Sequence, residues 1–231
     1  MKKEIPIFAP WLGVFETLKV INGEIQFFKE HAQLLKESAQ ALGLKAPMEK
    51  RLQKVKLPLQ SGRLRWIVDT QGFRSLFQEE KTKKRAFSVL GISPVRVGCH
   101  NWDARYKTVS YLSHWQARQE SENFDEVVLL NEWDEIASVA MGNIFWVKEG
   151  IVYTPSVDCG CRSGVVRKWV QKQVRVKEGR FGLDRLGAAE EIFLTNSMLG
   201  IQPVNRFLSR TFKLGMVVRT LQQEWKRTLK I

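Results

Sequence analysis

Two tight-turn signals most limit how this chain folds. Asn22-Gly23 and Glu149-Gly150 each separate two short runs that are rich in β-branched and aromatic residues. A two-residue turn of this kind joins antiparallel strands, because both of its positions tolerate the positive φ that the turn requires. The sequence therefore predicts β-hairpins over residues 13–28 and 142–155.

Helical periodicity accompanies these strands. The stretch after the first hairpin, "KEHAQLLKESAQALGL", carries apolar residues at helical spacing, and Gly43 is predicted to end the helix. Further helices are predicted over residues 107–124, 164–174 and 215–229, and further strands over 63–70, 85–92, 125–139 and 190–194. Antiparallel strands accompanied by helices make the predicted fold class α+β.

The chain is predicted to form two domains. Residues 95–105 have no clear period and contain Gly-Cys and Asn-Trp breaks, so they are interpreted as a linker. A small N-terminal α+β domain at 1–94 precedes it, and a larger C-terminal domain at 106–231 follows it. At 231 residues the chain is long enough for both to have a core.

Composition narrows the class of protein. With 44% apolar residues the chain is typical of a globular protein, and no apolar run approaches the roughly 18 residues of a membrane helix. The N-terminus begins with Lys2-Lys3 and an apolar stretch, as a signal peptide does. Glu4, Pro6 and Pro10 interrupt that pattern, so the segment is interpreted as mature chain and the protein as cytoplasmic.

The cysteines predict neither disulfides nor a metal. Cys99, Cys159 and Cys161 are few and odd in number, as in proteins of a reducing compartment. Cys159-Gly-Cys161 has no second Cys or His pair at ligand spacing, so no metal site is predicted.

The formal charge of +13 favours an anionic partner. The densest basic run, Glu79–Arg85, contains two glutamates and no aromatic residue, and the chain carries no nucleic-acid-binding motif, so this run is interpreted as a solvated loop. The same charge suits an enzyme that collects a small anionic substrate and a phosphorylated cofactor.

Two segments have the chemistry of an anion site. "GCRSGVVRK" places Gly164, Val165 and Val166 at a predicted helix N-terminus, where backbone N–H groups attract anions. "EEIFLTNSMLGIQPV" begins as a buried strand and breaks into small polar residues at Asn196 and Ser197. These two are either anion-binding donors or the N-cap of a helix.

A lysine completes the pattern. Lys107 lies in "RYKTVSYL", at the start of the predicted second domain. One lysine and two phosphate-binding segments are what a pyridoxal-phosphate enzyme requires, because the lysine binds the cofactor covalently and the phosphate anchors it.

In this order the motifs resemble those of the class IV pyridoxal-phosphate enzymes, the family of branched-chain and D-amino-acid transaminases. The resemblance runs through "GVFETLKVINGEI", "NIFWV", "TP", "GCRSGVVR" and "TNSMLGIQPV". It implies a homodimer whose chains have a small α/β sandwich domain and a larger pseudo-barrel α+β domain. It implies Lys107 as the Schiff-base lysine. The cofactor-binding residues that it implies are Ser138, Gly164, Val165, Val166, Asn196 and Ser197.

Within the family, two details favour the aminodeoxychorismate lyase branch, which releases pyruvate and 4-aminobenzoate on the folate route. Tyr111 follows Lys107 by four residues, as in the lyase and D-amino-acid branches, and "LTNSMLGIQPV" resembles the lyase segment. A small D-amino-acid or branched-chain-type aminotransferase is the alternative. A cofactor-free or inactive member of the fold is a further alternative, and a nucleic-acid-binding module is the least favoured.

Two positions depart from the family pattern. The family arginine three residues after the helix histidine is absent, because Leu34 follows His31 at that spacing. The family glutamate that faces the pyridine nitrogen, five residues before Asn143, is replaced by Ser138. A hydroxyl there weakens the cofactor as an electron sink, which favours the lyase over a transaminase. The missing arginine keeps the cofactor-free alternative open unless Arg162 or Arg167 replaces it.

Overall fold

The computed structural model describes residues 11–80, 86–120 and 123–231. The chain folds into two compact units: Met1–Thr82 with Tyr106–Tyr111, and Lys83–Arg105 with Leu112–Ile231. The predicted domain boundaries differ from these units, because the first unit ends earlier and takes in the segment that contains Lys107. The start of the N-terminal segment (1–10) and residues 81–85 of the predicted basic loop lie outside the described residues.

The first unit is built on an antiparallel sheet with the strand order β2-β1-β3-β4. Its elements are β1 (Gly13–Ile21), β2 (Glu24–Ile25), α1 (Phe28–Ala41), α2 (Glu49–Gln53), β3 (Gly62–Asp69) and β4 (Gly72–Glu79). The first predicted hairpin is confirmed: Asn22 and Gly23 have φ of 50° and 80° and join β1 to β2.

The helix α1 covers one face of this sheet. Leu35 and Ala39 of α1, with Leu42 just after the helix, pack with the even-numbered residues of β1 and β3, among them Leu18 and Trp66. Burial of one such large apolar side chain stabilises the fold by about 1.5–3 kcal/mol. Since strand residues alternate in direction, the odd-numbered residues of β1 and β3 lie on the face away from α1.

The second unit is built on a larger sheet with the order β10-β9-β8-β11-β12-β5-β6-β7, with β13 beside β12. Its strands are β5 (Ser88–Val97), β6 (Glu126–Asn131), β7 (Ile136–Val139), β8 (Asn143–Lys148), β9 (Ile151–Pro155), β10 (Val176–Gly179), β11 (Glu191–Asn196), β12 (Gly200–Phe207) and β13 (Arg210–Thr211). Its helices are α3 (Trp102–Arg105), α4 (Leu112–Gln119), α5 (Val165–Gln173), α6 (Asp184–Gly187) and α7 (Met216–Leu229), with a 3₁₀ turn at Val157–Cys159.

The second predicted hairpin is confirmed as well. β8 and β9 pair antiparallel around Glu149 and Gly150, whose φ values are 51° and 69°. The main core of the unit contains large buried side chains such as Trp146 on β8 and Ile192 on β11.

Three elements differ from the sequence prediction. The strand expected over 85–92 belongs to the second unit, where β5 pairs in parallel with β12 and β6. The helix expected over 107–124 starts only at Leu112, because the backbone around Thr108 bridges to Val14 of β1. A strand, β12, follows Asn196 and Ser197, so the helix N-cap interpretation of these residues is wrong.

Strands and helices in both units confirm the α+β fold class. Among the described residues, none of the helices combines the length and the apolar character that crossing a bilayer requires.

Candidate active site

Backbone hydrogen bonds to β1 fix the position of Lys107. The Phe15 N–H donates to the Lys107 carbonyl at 2.8 Å, and the Val109 N–H donates to the Gly13 carbonyl at 2.9 Å. The Lys107 amine lies 5.0 Å from the centre of the Phe15 ring and 5.8 Å from that of the Tyr111 ring. The lysine is therefore held against an aromatic wall on the odd-numbered face of β1.

The electrostatic surroundings raise the uncharged fraction of the Lys107 amine. Burial lowers its pKa from 10.5 to about 8, and the positive charges of Arg65 and Arg63 on β3 act in the same direction. Desolvation and neighbouring cations both penalise the ammonium form. With a pKa of about 8, roughly a tenth of the amine is uncharged at pH 7, far more than of an ordinary lysine. Only the uncharged amine can attack a carbonyl or accept a proton.

A buried histidine–carboxylate pair lies on the other face of β1. His31 Nδ1 of α1 lies 2.8 Å from Glu16 Oε2, and both side chains are buried. Burial, with the charge of Lys107 as the next cause, lowers the pKa of His31 to about 3. The imidazole is thus neutral and donates Nδ1–H to the carboxylate, which ties α1 to β1. Leu34 is buried on the same helix, so no cation replaces the family arginine from this position.

The lowered pKa of Lys107 gives a testable pH dependence. We expect the rate of pyridoxal phosphate incorporation to rise from about pH 6 to about pH 9, because deprotonation produces the reactive amine. The midpoint should lie near the lysine pKa of about 8. Arg65→Gln removes a nearby positive charge and should move the midpoint upward. Stopped-flow absorbance across the pH range measures the incorporation rate of the unaltered protein and of Arg65→Gln.

Arg74→Gln is the matched control for that experiment. Arg74 lies on the same sheet but is paired with Asp69, so its loss should leave the midpoint unchanged. A midpoint that stays near the ordinary lysine value in the unaltered protein contradicts the expectation.

In the second unit, Asn143 shapes the loop before α5. Its Nδ2 donates to the Arg162 carbonyl at 2.8 Å, and a Cβ added at Gly164 would lie 2.7 Å from its Oδ1. A glycine is therefore needed where this loop approaches Asn143 and becomes the N-cap of α5. The sequence prediction used Asn143 only as a landmark, although an asparagine at the start of a buried strand was a usable signal.

The first turn of α5 offers unused donors. No hydrogen bond within the described residues takes the N–H groups of Val165 and Val166, and no side chain caps this helix. At the start of α7, by contrast, the Glu191 carboxylate accepts the N–H groups of Val217 and Val218. The N-terminus of α5 therefore keeps its attraction for an anion, and its binding of a phosphate stays a prediction.

The two arginines near α5 differ in their use. Arg167 is buried and donates to the Pro155 carbonyl at 3.0 Å and to Glu178, so its charge is balanced inside the protein. Arg162 lies three residues before the first residue of α5, and burial lowers its pKa to about 10. Its burial and its position in the segment before α5 make Arg162 the better candidate to replace the missing arginine.

Ser138 and Asn196 both adjoin the turn that links β7 to β8. Ser138 lies on β7 opposite Leu129, and its buried hydroxyl has no hydrogen-bond partner among the described residues. Asn196 Nδ2 donates to the Met141 carbonyl at 3.0 Å. Its Oδ1 accepts the N–H groups of residues 198 and 199 at 3.0 and 2.8 Å, which orders the turn that contains Ser197. The Asn196 side chain thus shapes the segment through its own hydrogen bonds.

Glu126 holds the same turn from β6 and was missed by the sequence prediction. Its carboxyl accepts the N–H groups of Val127 and Met141 at 3.1 and 3.2 Å. Burial raises its pKa to about 7. An acidic residue directly before the apolar run Val127–Leu130 was the sequence signal for this role.

The cysteine motif has a packing role. Cys159 and Cys161 are free thiols, and burial raises the pKa of each to about 11. Cys161 Sγ donates to the Pro155 and Ser156 carbonyls. Within the described residues, no three His, Cys, Asp or Glu side chains gather as metal ligands do.

These residues fit pyridoxal phosphate. A lysine with a lowered pKa suits covalent attachment, and free donors at a helix N-terminus with a desolvated arginine suit a phosphate. The buried, unpartnered Ser138 hydroxyl is a further polar group without an internal use. The chain has the donors of a pyridoxal-phosphate-dependent enzyme.

Comparison with known proteins identifies the family. The family model for amino-transferase class IV matches residues 13–207. The chain belongs to this family of pyridoxal-phosphate-dependent enzymes.

Individual relatives span two activities. The chain is 31% identical to the aminodeoxychorismate lyase of Bacillus subtilis over 135 residues, which cover 54% of this chain and 46% of the relative. The matched segment thus spans about half the length of that curated relative. The branched-chain aminotransferase of Thermoproteus uzoniensis shares the fold with a TM-score of 0.84 at 20% identity, over 96% of this chain and 86% of that one.

A further solved structure carries the cofactor. An aminotransferase from Brucella abortus, bound to PLP, matches with a TM-score of 0.78 at 20% identity, over 97% of this chain and 95% of that one. These two structural matches show the fold, and the family match shows the cofactor class.

Proposed function

We propose that this chain is a lyase that converts 4-amino-4-deoxychorismate to pyruvate and 4-aminobenzoate, a reaction of folate biosynthesis. The observation that carries the proposal is the Ser138 hydroxyl, which is buried without a partner among the described residues where the family resemblance implies a glutamate. The similarity to the Bacillus subtilis lyase supports it.

Ser138 distinguishes the two activities because it lacks the negative charge of the family glutamate. Pyridoxal phosphate, when bound, supplies an electron sink for the substrate carbon that carries the amine. A carboxylate at the pyridine nitrogen keeps that nitrogen protonated, whereas a neutral hydroxyl cannot balance its charge. Transamination depends fully on the sink. The lyase reaction depends on it less, because the product ring becomes aromatic.

Lys107 performs the proton transfer in this proposal. Its neutral amine takes the proton from the ring carbon that carries the substrate amine. The C–O bond between the ring and the enolpyruvyl group then breaks. The electron pair of the broken C–H bond completes the aromatic ring, and the leaving group takes up a proton to become pyruvate. The two products together contain all atoms of the substrate, so no oxidant, reductant or second substrate is needed.

The second unit binds the cofactor phosphate in this proposal. The N–H groups of Val165 and Val166, the Arg162 guanidinium and the Ser197 hydroxyl are the proposed donors. Gly164 permits the close approach to Asn143, and Asn196 orders the turn that carries Ser197. The resemblance further supports a homodimer, which sedimentation of the purified protein measures.

An aminotransferase is the second candidate function. The fold shared with the branched-chain aminotransferase of Thermoproteus uzoniensis favours it, and Lys107 serves both reactions. The absence of an arginine at Leu34 is the feature that favours a cofactor-free protein instead.

Product analysis tests the proposal. The cofactor-loaded protein should release pyruvate and 4-aminobenzoate in equal amounts from enzymatically generated aminodeoxychorismate. Transfer of the amino group from ordinary amino acids to a keto acid should be slower by about tenfold or more, the effect of one lost charge-assisted contact. Robust transamination without pyruvate release from aminodeoxychorismate contradicts the lyase. Failure to gain visible absorbance with pyridoxal phosphate contradicts both enzymes.

A further inference from the structure

Three cations line up on one face of the first unit. Lys19 of β1 and Arg63 of β3 are direct partners in the antiparallel register, and Arg65 pairs with Thr17 in the next position on that face. All three are odd-numbered and therefore lie on the face away from α1. We call Lys19, Arg63 and Arg65 the cationic strip.

The strip is electrostatically costly for the sheet. Arg63 and Arg65 are neighbours on one face of β3, and their like charges repel. Neither Arg63 nor Arg65 forms an ion pair within the described residues, and the buried Nε of Arg65 has no hydrogen-bond partner there. Burial and the Arg63 charge both lower the pKa of Arg65. An anion bound from outside the chain would relieve this repulsion.

Arg74, a further cation on the same face of the sheet, differs from the strip because it has an acidic partner. Arg74 of β4 lies on the same face, opposite Ile67, and its charge is balanced by Asp69. The chain thus neutralises the cation at one end of the sheet and leaves those at Arg63 and Arg65 without an acidic partner among the described residues.

The strip adjoins the reactive amine through one aromatic ring. The Arg65 guanidinium carbon lies 4.8 Å from the centre of the Phe15 ring, and the Lys107 amine lies 5.0 Å from the same centre. Tyr111 meets Phe15 edge to face at 5.6 Å. The Lys107 amine and the Arg65 guanidinium thus lie against the same ring, so a ligand that reaches the amine is also close to the strip.

The spacing of the strip fits more than one carboxylate. Arg63 and Arg65 are two residues apart on one strand face, or about 7 Å at the usual rise of a strand. A single carboxylate engages one guanidinium in a bidentate pair, so a second carboxylate is needed to use both.

We propose that the cationic strip binds the two carboxylates of a cyclic dicarboxylate amine and selects such substrates over amino acids with one carboxylate. The inference rests on the proposed lyase function, because it assigns substrate recognition for that same site. Arg65 binds the carboxylate that is nearer to Lys107, and Arg63 with Lys19 binds the other.

Two unreactive probes test the inference on the cofactor-loaded protein. Isophthalate carries two carboxylates on a ring and benzoate carries one, and neither has an amine that could react. Calorimetry at low ionic strength should show isophthalate binding about tenfold more tightly or better, the usual effect of one charge-assisted contact. The difference should shrink as salt is added, because these groups are partly exposed.

Variants assign the effect to the strip. Arg63→Gln should weaken isophthalate about tenfold and benzoate less than about twofold. Arg74→Gln, the matched control, should change neither affinity. Thermal unfolding of each variant reports whether the first unit remains folded. Equal affinity for the two probes overturns the proposed role of the strip. Equal losses of isophthalate affinity in Arg63→Gln and Arg74→Gln overturn it as well.

Parallel assays separate this inference from the proposed function. In the lyase reaction, Arg63→Gln should raise KM for aminodeoxychorismate about tenfold while kcat changes little. Pyruvate release without any preference for isophthalate overturns the proposed role of the strip and leaves the proposed lyase function in place. A preference for isophthalate without pyruvate release overturns the lyase.

Discussion

Replacement of Lys107 by alanine should abolish the visible absorbance of bound pyridoxal phosphate and lower turnover by about 1,000-fold or more. The amine both holds the cofactor and moves the proton, and loss of a positioned general base alone costs about 10²- to 10⁴-fold. The fold should survive, because Lys107 forms no ion pair within the described residues and its backbone bonds to β1 do not depend on the side chain. Absorbance titration, turnover and thermal unfolding give the three measurements.

Lys177→Ala is the matched control for this change. Lys177 also lies near an aromatic ring, 5.9 Å from the centre of Tyr153, but it is exposed on the second unit. Its loss should leave absorbance and turnover unchanged. A Lys107→Ala protein that still gains the visible band shows that another lysine binds the cofactor, and the assignment of Lys107 is then wrong.

Ser138→Glu should raise transamination by roughly 10- to 100-fold while it changes the lyase rate much less. A carboxylate at this position restores a charge-assisted contact to the pyridine nitrogen, which is worth about 1.5–3 kcal/mol in a buried site. Transamination gains most because it lacks the aromatisation that drives the lyase. Both rates are measured on the cofactor-loaded variant.

Ser138→Gln is the control that separates charge from size. Glutamine has the length of glutamate but no charge, so it should not raise transamination. If Ser138 instead only packs in the hairpin, Glu is a buried charge without a partner. The variant then unfolds at a lower temperature and gains no transamination, which contradicts the proposed role of Ser138.

Local chemistry explains which parts of the fold the sequence predicted correctly. The hairpin at Asn22-Gly23 depends on two adjacent residues that accept positive φ, and the start of α5 depends on Gly164 and the apolar pattern after it. Such signals require no knowledge of distant partners. The family resemblance added the cofactor class through motif order.

The elements that were placed incorrectly from the sequence are determined by distant partners. The helix expected from Lys107 starts only at Leu112, because backbone hydrogen bonds hold residues 107–109 against β1, more than 90 residues earlier in the chain. β5 was placed in the wrong unit because its pairing with β12 and β6 leaves no local trace.

Part of the candidate site was hidden for the same reason. Arg63 and Arg65 act on Lys107 only because β3 lies beside β1, and the strand register that aligns Lys19 with Arg63 is a tertiary property. Ser138 was readable only against a family pattern, and its role at the cofactor stays a prediction.

The placement of Tyr106–Tyr111 in the first unit has a consequence for biosynthesis. A ribosome that adds about 5–20 residues per second makes β4 roughly 1.5–6 seconds before it reaches Tyr111. During that interval the sheet of the first unit lacks the segment that bridges to Val14, while β5, a strand of the second unit, has already been synthesised. The reactive amine is therefore synthesised only after every strand of the first sheet, and a nascent chain that has grown only as far as β4 carries the strip without the lysine.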